Sequence, residues 1–245
     1  MKYNNTDIAE HLEQYNNQIY NSKGFIAHIN YEMLRTSFQI FSVNFSELRN
    51  FINTMNNPEV ILKTMGIENQ DKFDYVGLFL QQKFSNYLNS ALMLIDHSRN
   101  FIKGYDINCT LKKNYNKKVS VEFVENGLHR FIQDMRVYMF HYKLPIATST
   151  VKFTKENITH TISLSKSSLL GWDNWKNESK EWLEKQEKDI VMINFTAEYF
   201  NKVQSFYDWF FFEIESYHKE DFDKTNSLIK KQQELLPKYP PSSKA

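Results

Sequence analysis

The chain has 245 residues, a formal net charge of +1, 41% hydrophobic and 16% aromatic residues, with 20 Phe and 14 Tyr. That apolar content excludes a disordered chain, and the near-neutral balance excludes a global pull toward nucleic acid or membrane. The single cysteine, Cys109, excludes an internal disulfide and a cysteine-based zinc site, and fits a reducing cytosol. The opening MKYNNTDIAEHLEQ lacks the apolar core of a signal peptide. No window approaches 18 uninterrupted apolar residues, so no membrane partner and a cytoplasmic location are expected. Six Gly and five Pro leave little turn chemistry and favour long helices.

In chain order, residues 5–21 read as a short polar helix. Residues 29–56 carry Met33, Phe38, Phe41, Phe45, Leu48 and Ile52 at mostly helical spacing. Pro58 opens a short helix over 58–65. Residues 70–103 give the longest helical pattern, through Leu80, Phe84, Leu88, Ala91 and Ile95, with Gly104 just past its end. Residues 105–119 read as a polar, lysine-rich connection. Residues 120–143 read as one helix with Ser120 as its N-cap, stopped by Pro145. Val151 and Phe153, then Ile158, Ile162 and Leu164, alternate with polar residues and predict a β-hairpin within 148–165. Further helices are expected over 172–188, 192–219 and 221–236, followed by a loose tail over 237–245. No internal repeat and no linker divides the chain. The expectation is a mainly α fold, one helical bundle over 1–245 with a small β-hairpin insertion.

Charge is unevenly spread. Residues 1–80 hold 6 basic and 9 acidic side chains, whereas 99–143 hold 9 basic and 4 acidic. Inside the basic stretch lies Arg136-Val-Tyr-Met-Phe-His141, in an otherwise mainly apolar run. A guanidinium that forks onto phosphate oxygens, near a group that titrates around neutral pH, is a minimal kit for cutting RNA without metal. A five-residue helical step leaves the two Cβ vectors about 140° apart, so convergence needs the length of the arginine and the position of His141 in the last turn. The alternative is an arginine paired to a carboxylate and a histidine that merely caps the helix. A second cluster, Asp96, His97, Arg99 and Asn100, occupies one turn at the end of the longest helix. It would orient His141 or contact substrate, or else form a solvated helix end. Tyr138 is a further candidate beside Arg136. The basic residues Lys112, Lys113, Lys117 and Lys118 around Tyr115 suit a loop that tracks a phosphate backbone and stacks a base, the alternative being a merely solvated charge run, and Lys143 is a further RNA-binding candidate. None of the seven histidines has metal-ligand spacing, so no metal and no cofactor are expected.

Arg-x4-His near a helix end resembles the signature of the HEPN superfamily. The segment Arg136 to Ile146 is similar to an Arg-Asn-x3-His-x-x-Leu-Pro segment in a group of uncharacterised bacterial proteins. Those proteins also carry an upstream Asn-Tyr-Leu…Asp-His-x-Arg segment, matched here by Asn86-Tyr87-Leu88 and Asp96-His97-Ser98-Arg99. The resemblance covers roughly residues 80–146 and implies a helical bundle core over about 29–219. It also implies a dimer with two motifs in one cleft, and endoribonuclease activity in antiphage defence or toxin–antitoxin control. By that resemblance Arg136 and His141 are the catalytic pair, and the partners are RNA, a second copy, and an antitoxin or other defence protein. The position after the arginine, commonly Asn, is Val137 here. Some HEPN proteins are non-catalytic, so the alternative is an interaction or regulatory protein on the same fold.

Overall fold

The computed structural model describes residues 5–64, 70–156 and 158–238. The fold is mainly α. Its elements are α1 (Asn5–Tyr20), α2 (Lys23–Met55), α3 (Pro58–Thr64), α4 (Gln70–Lys103), α5 (Thr110–Val119), a π turn (Ser120–Val124) and α6 (Gly127–His141). There follow β1 (Ala147–Phe153), β2 (Ile158–Leu164), α7 (Lys166–Leu170), α8 (Asn177–Glu184), β3 (Ile190–Val191), α9 (Met192–Tyr217), α10 (Lys219–Leu235) and a 3-10 turn (Leu236–Lys238). The strands form one antiparallel sheet in the order β1-β2-β3, with Ala147 opposite Leu164 and Phe153 opposite Ile158. The hairpin therefore lies where the alternation of apolar residues put it. The two-residue β3 is too short to leave a periodic signal.

Four boundaries differ from the sequence expectation, the first being α2, which starts at Lys23 where the apolar pattern starts at 29. The presumed connection 105–119 contains helix α5, capped by the Cys109 sulfur, which accepts from Lys112 N. The presumed single helix 120–143 is broken. Ser120 has helical backbone and stands at the C-cap of α5, not at an N-cap, the chain passes through the π turn, and α6 starts afresh with Asn126 accepting from His129 N. The break is local chemistry: Asn-Gly at 126–127 favours a cap over helix continuation. The expected helix 172–188 is shorter. Trp172 and Trp175 lie before α8 and pack inward, with the Trp175 indole donating to Leu169 O at 2.7 Å. Of the loose tail, residues 239–245 lie outside the described residues.

The chain divides into two compact units, residues 36–207 and the two chain ends up to Arg35 and from Asp208. In the first unit, Phe41, Phe84, Tyr87, Leu88, Phe131 and Tyr138 are fully buried. Their rings stack with those of α8, α9 and the α7–α8 turn: Phe131 on Trp182 at 4.5 Å, Tyr138 on Trp175 at 5.6 Å, Phe45 on Phe200 at 4.1 Å. The sheet is tied to the helices by His160, which donates from Nδ1 to Met55 O and accepts at Nε2 from Ser149. In the second unit, Gly24 lets α2 approach α10 closely at Asp221 and Thr225, and Ser22 bonds Thr225 at 2.8 Å.

Helix α6 is the central element of the first unit, and two contacts with α8 set its position. At Gly127 an added Cβ would lie 2.8 Å from Trp182 Cβ and 3.0 Å from Glu178 O. Two turns on, the buried Asp134 carboxylate accepts from Lys176 N at 3.1 Å and from the Ser179 hydroxyl at 2.6 Å. It thus takes up donors at the start of α8, where the helix dipole also favours negative charge. Alanine at 127 gains roughly 1 kcal/mol of helix propensity but meets backbone and a ring-bearing Cβ, an overpacking cost of roughly 1–3 kcal/mol. Gly127→Ala is therefore expected to lower the denaturation midpoint. An unchanged or raised midpoint in urea titration would show that the approach at Trp182 relaxes freely.

Candidate functional site

The site is built on the one side of α6 that the core leaves open. Leu128, Phe131, Ile132, Met135, Tyr138 and Met139 are buried, which accounts for the inner arc of the helix. Arg136 is half-buried, while Val137, Phe140 and His141 are exposed. At 100° per residue these four fill an outer arc of about 140° in the order Arg136, Phe140, Val137, His141. The two chemistry-bearing residues are its edges, with apolar side chains between them. The guanidinium leans inward along the arc: its Cζ lies 5.3 Å from the Phe140 ring centroid. Arg136 makes no ion pair among the described residues, and its buried Nε has no hydrogen-bond partner. His141 is the last residue of α6. Tyr142 N bonds Tyr138 O, the chain turns, and Pro145 is held by Gln81, which donates to its carbonyl at 2.8 Å. Lys143 lies beside this edge, its ammonium 5.2 Å from the Tyr142 ring.

Other expected site residues do not gather here. Gln81, early in α4, meets the chain beyond α6, while Arg99, late in α4, acts on His129 at the start of α6. The two helices are thus antiparallel. His129 and His141 are twelve residues apart, about 18 Å along the axis. The Asp96 cluster therefore sits at the opposite end of α6 from His141 and cannot orient it within one chain. Asp96 and Arg99 pair weakly at 3.4 Å on the surface, with both side chains more than 60% exposed. His97 Nδ1 bonds Ser37 Oγ at 2.6 Å, and Asn100 is exposed. Of the matched upstream residues, Tyr87 is core and donates to Thr196 O at 3.0 Å.

Tyr138 and Tyr115 are core residues, not site residues. Tyr138 is fully buried against Trp175, and Tyr115 is buried edge-on to Phe206 at 5.8 Å. Burial pushes the Tyr115 hydroxyl up to about 12. The lysines ride on a helix, not a loop, and divide by its faces. Lys112 donates to Tyr105 O and Lys118 pairs with Glu122 at 2.8 Å, whereas Lys113 and Lys117, four apart, are exposed. This basic face belongs to the Arg99 end of α6.

Sequence reading missed the buried polar centre at that same end. His129 is 8% exposed, and its ring nitrogens meet Tyr199 Oη at 3.2 Å and Gln133 Nε2 at 2.8 Å. Burial, followed by the charges of Arg130, Arg99 and Lys202, lowers its pKa to about 3. The only sequence signal was the four-residue step from His129 to Gln133; Tyr199 lies 70 positions away. Among the described residues no group of three or more His, Cys, Asp or Glu is placed to hold a metal ion, and no helix is long and apolar enough to cross a membrane. In comparisons with known proteins, no family model, no curated protein and no solved structure matches the chain.

The neutral His129 has a consequence for stability. Between pH 6.5 and about 3 the unfolded chain binds a proton here that the folded chain does not. Stability therefore falls as pH drops below 6.5, by on the order of 1 kcal/mol per pH unit from this residue. Urea titrations at pH 7, 6 and 5 are expected to show a steeper loss for the wild type than for His129→Gln. Parallel losses would contradict a buried neutral imidazole.

Proposed function

We propose that the chain is a metal-independent endoribonuclease of HEPN type, acting in the cytoplasm as a homodimer in antiphage defence or toxin–antitoxin control. The observation that carries this reading is the free chemistry at the end of α6. An arginine with no carboxylate partner among the described residues leans along the outer arc toward the terminal turn, and an exposed histidine stands at that turn.

The reaction follows from the residue types. The RNA 2′-oxygen attacks the adjacent phosphorus, the new O–P bond forms, the P–O5′ bond breaks, and the 2′,3′-cyclic phosphate and a 5′-hydroxyl result. One proton leaves the 2′-OH and one reaches the departing oxygen. Arg136 places its fork on the non-bridging oxygens as charge builds. A single imidazole in one protonation state serves one of the two proton transfers, so a second copy supplying its own His141 completes the pair. DNA lacks the attacking hydroxyl and is not a substrate. Lys143 adds a cation beside the cleavage edge, and an antitoxin would act by covering it.

A second reading, a non-catalytic interaction or regulatory protein on the same fold, is favoured by one observation. The arc between Arg136 and His141 is apolar, and Leu144 and Ile146 beyond it are also exposed. Purified protein in EDTA is expected to cut single-stranded RNA into fragments with cyclic phosphate ends and to spare DNA. His141→Ala and Arg136→Ala should each slow cleavage by about 100-fold or more. If wild type and His141→Ala leave a broad set of RNAs equally intact, the nuclease reading fails. Loss of self-association in Phe140→Glu would then point to the interaction protein.

A further inference from the structure

At the other end of α6, within the unit of residues 36–207, lies a small cavity of about 60 Å³. Its walls are apolar and aromatic, including Ile95 of α4, Val203 and Phe206 of α9, and Phe123. The π turn Ser120–Val124 supplies Phe123, which sits 5.2 Å from Phe206 and 4.8 Å from His129. Isolated π turns recur where a wall must be shaped for function. Arg99 stands at the rim and is the only charged residue lining the cavity.

The hydrogen bonds at the floor have a fixed direction. Arg130 Nη1 donates to Gln133 Oε1 at 3.5 Å, which turns the Gln133 amide nitrogen toward His129. That nitrogen donates to His129 Nε2 at 2.8 Å. Nε2 is therefore the acceptor, Nδ1 carries the hydrogen, and Nδ1 donates to Tyr199 Oη at 3.2 Å. The imidazole stays neutral at physiological pH, so the direction does not reverse. The Tyr199 oxygen is occupied as an acceptor, and its own hydrogen has no acceptor among the described residues. Tyr199 is 1% exposed and lines the cavity. A buried hydroxyl donor left unmet is costly, and the residues around it offer no anion to meet it. Arg99, Arg130 and Lys202 all act on this centre as positive charges. Arg99 itself pairs with the Asp96 carboxylate at 3.4 Å, with both side chains largely exposed at the surface.

We propose that this cavity binds a short-chain carboxylate of acetate to propionate size. One carboxylate oxygen accepts from the Tyr199 hydroxyl, the charge lies in the field of Arg99, and the methyl or ethyl group packs on Ile95, Val203 and Phe206. The size limit is set by the volume: an apolar cavity that takes benzene has roughly 150 Å³, and this one has about 60 Å³. The site is separate from the Arg136–His141 edge and does not depend on the nuclease reading. It also gives Arg99 a different task from orienting His141.

The test is a titration of the full chain with sodium acetate, propionate, hexanoate and benzoate against sodium chloride of equal ionic strength. Binding is followed by saturation transfer to the ligand methyl and by thermal shift. Acetate and propionate are expected to bind saturably, and hexanoate and benzoate not. Tyr199→Phe should weaken acetate at least tenfold. Asp96→Asn, a surface change that removes the competing carboxylate, should tighten it severalfold, and Arg99→Gln should weaken it. No saturable binding of acetate or propionate to wild type overturns the proposal. So does unchanged affinity in both Asp96→Asn and Arg99→Gln, or equal binding of hexanoate.

Discussion

The grip of Asp134 on the start of α8 is the constraint from which the rest of the first unit follows. A carboxylate with 5% exposure is stable only where donors meet it, and here a backbone N–H and a hydroxyl do so. With the close approach at Gly127, it fixes the rotation of α6 about its own axis. Rotation decides everything that matters on a helix this amphipathic. Turned by one residue, α6 would expose Tyr138 and bury Arg136 among rings that offer it no counter-charge.

Because α6 is held in this way, its outer arc is a narrow strip with a cation at one edge and an imidazole at the other. The strip's apolar middle is unusual for a solvent-facing helix surface and suits contact with a second macromolecule. The antiparallel run of α4 against α6 then separates two segments that read as one constellation in sequence. The helix ends are about 18 Å apart along α6, far beyond the reach of a side chain. No side chain of the Arg99 end therefore reaches the Arg136–His141 edge, and the Arg99 end is organised by hydrogen bonds of its own.

That second end shows how hydrogen-bond polarity carries information across a fold. An arginine sets an amide, the amide sets a tautomer, and the tautomer leaves the Tyr199 hydroxyl hydrogen without an acceptor among the described residues. Each link is weak alone. Together they define a donor at the floor of an apolar cavity whose surroundings are positive. The same burial that creates the donor makes His129 a liability in acid, since charging the ring requires opening the core.

Much of the architecture was legible in the sequence. The helices from α1 to α4, their punctuation at Pro58 and Gly104, and the alternating hairpin strands all follow from local periodicity and turn chemistry. The position of His141 in the last turn before Pro145 was equally local. What local pattern could not show was partnership over distance. Tyr115 and Tyr138 have side chains suited to either a site or a core, and Phe206 and Trp175, far along the chain, made them core. The segment 105–119 read as a polar connection because its helical apolar positions, Leu111, Tyr115 and Val119, are only three, set among lysines and asparagines. Asp134 and His129 read as ordinary polar residues until Ser179 and Tyr199 were brought to them. The sequence by itself determined most of the helices, the β1–β2 hairpin and which residues could do chemistry. Tertiary structure alone decided which of them face one another, because burial, helix rotation and the antiparallel pairing of α4 with α6 are set by contacts between residues that no local spacing links.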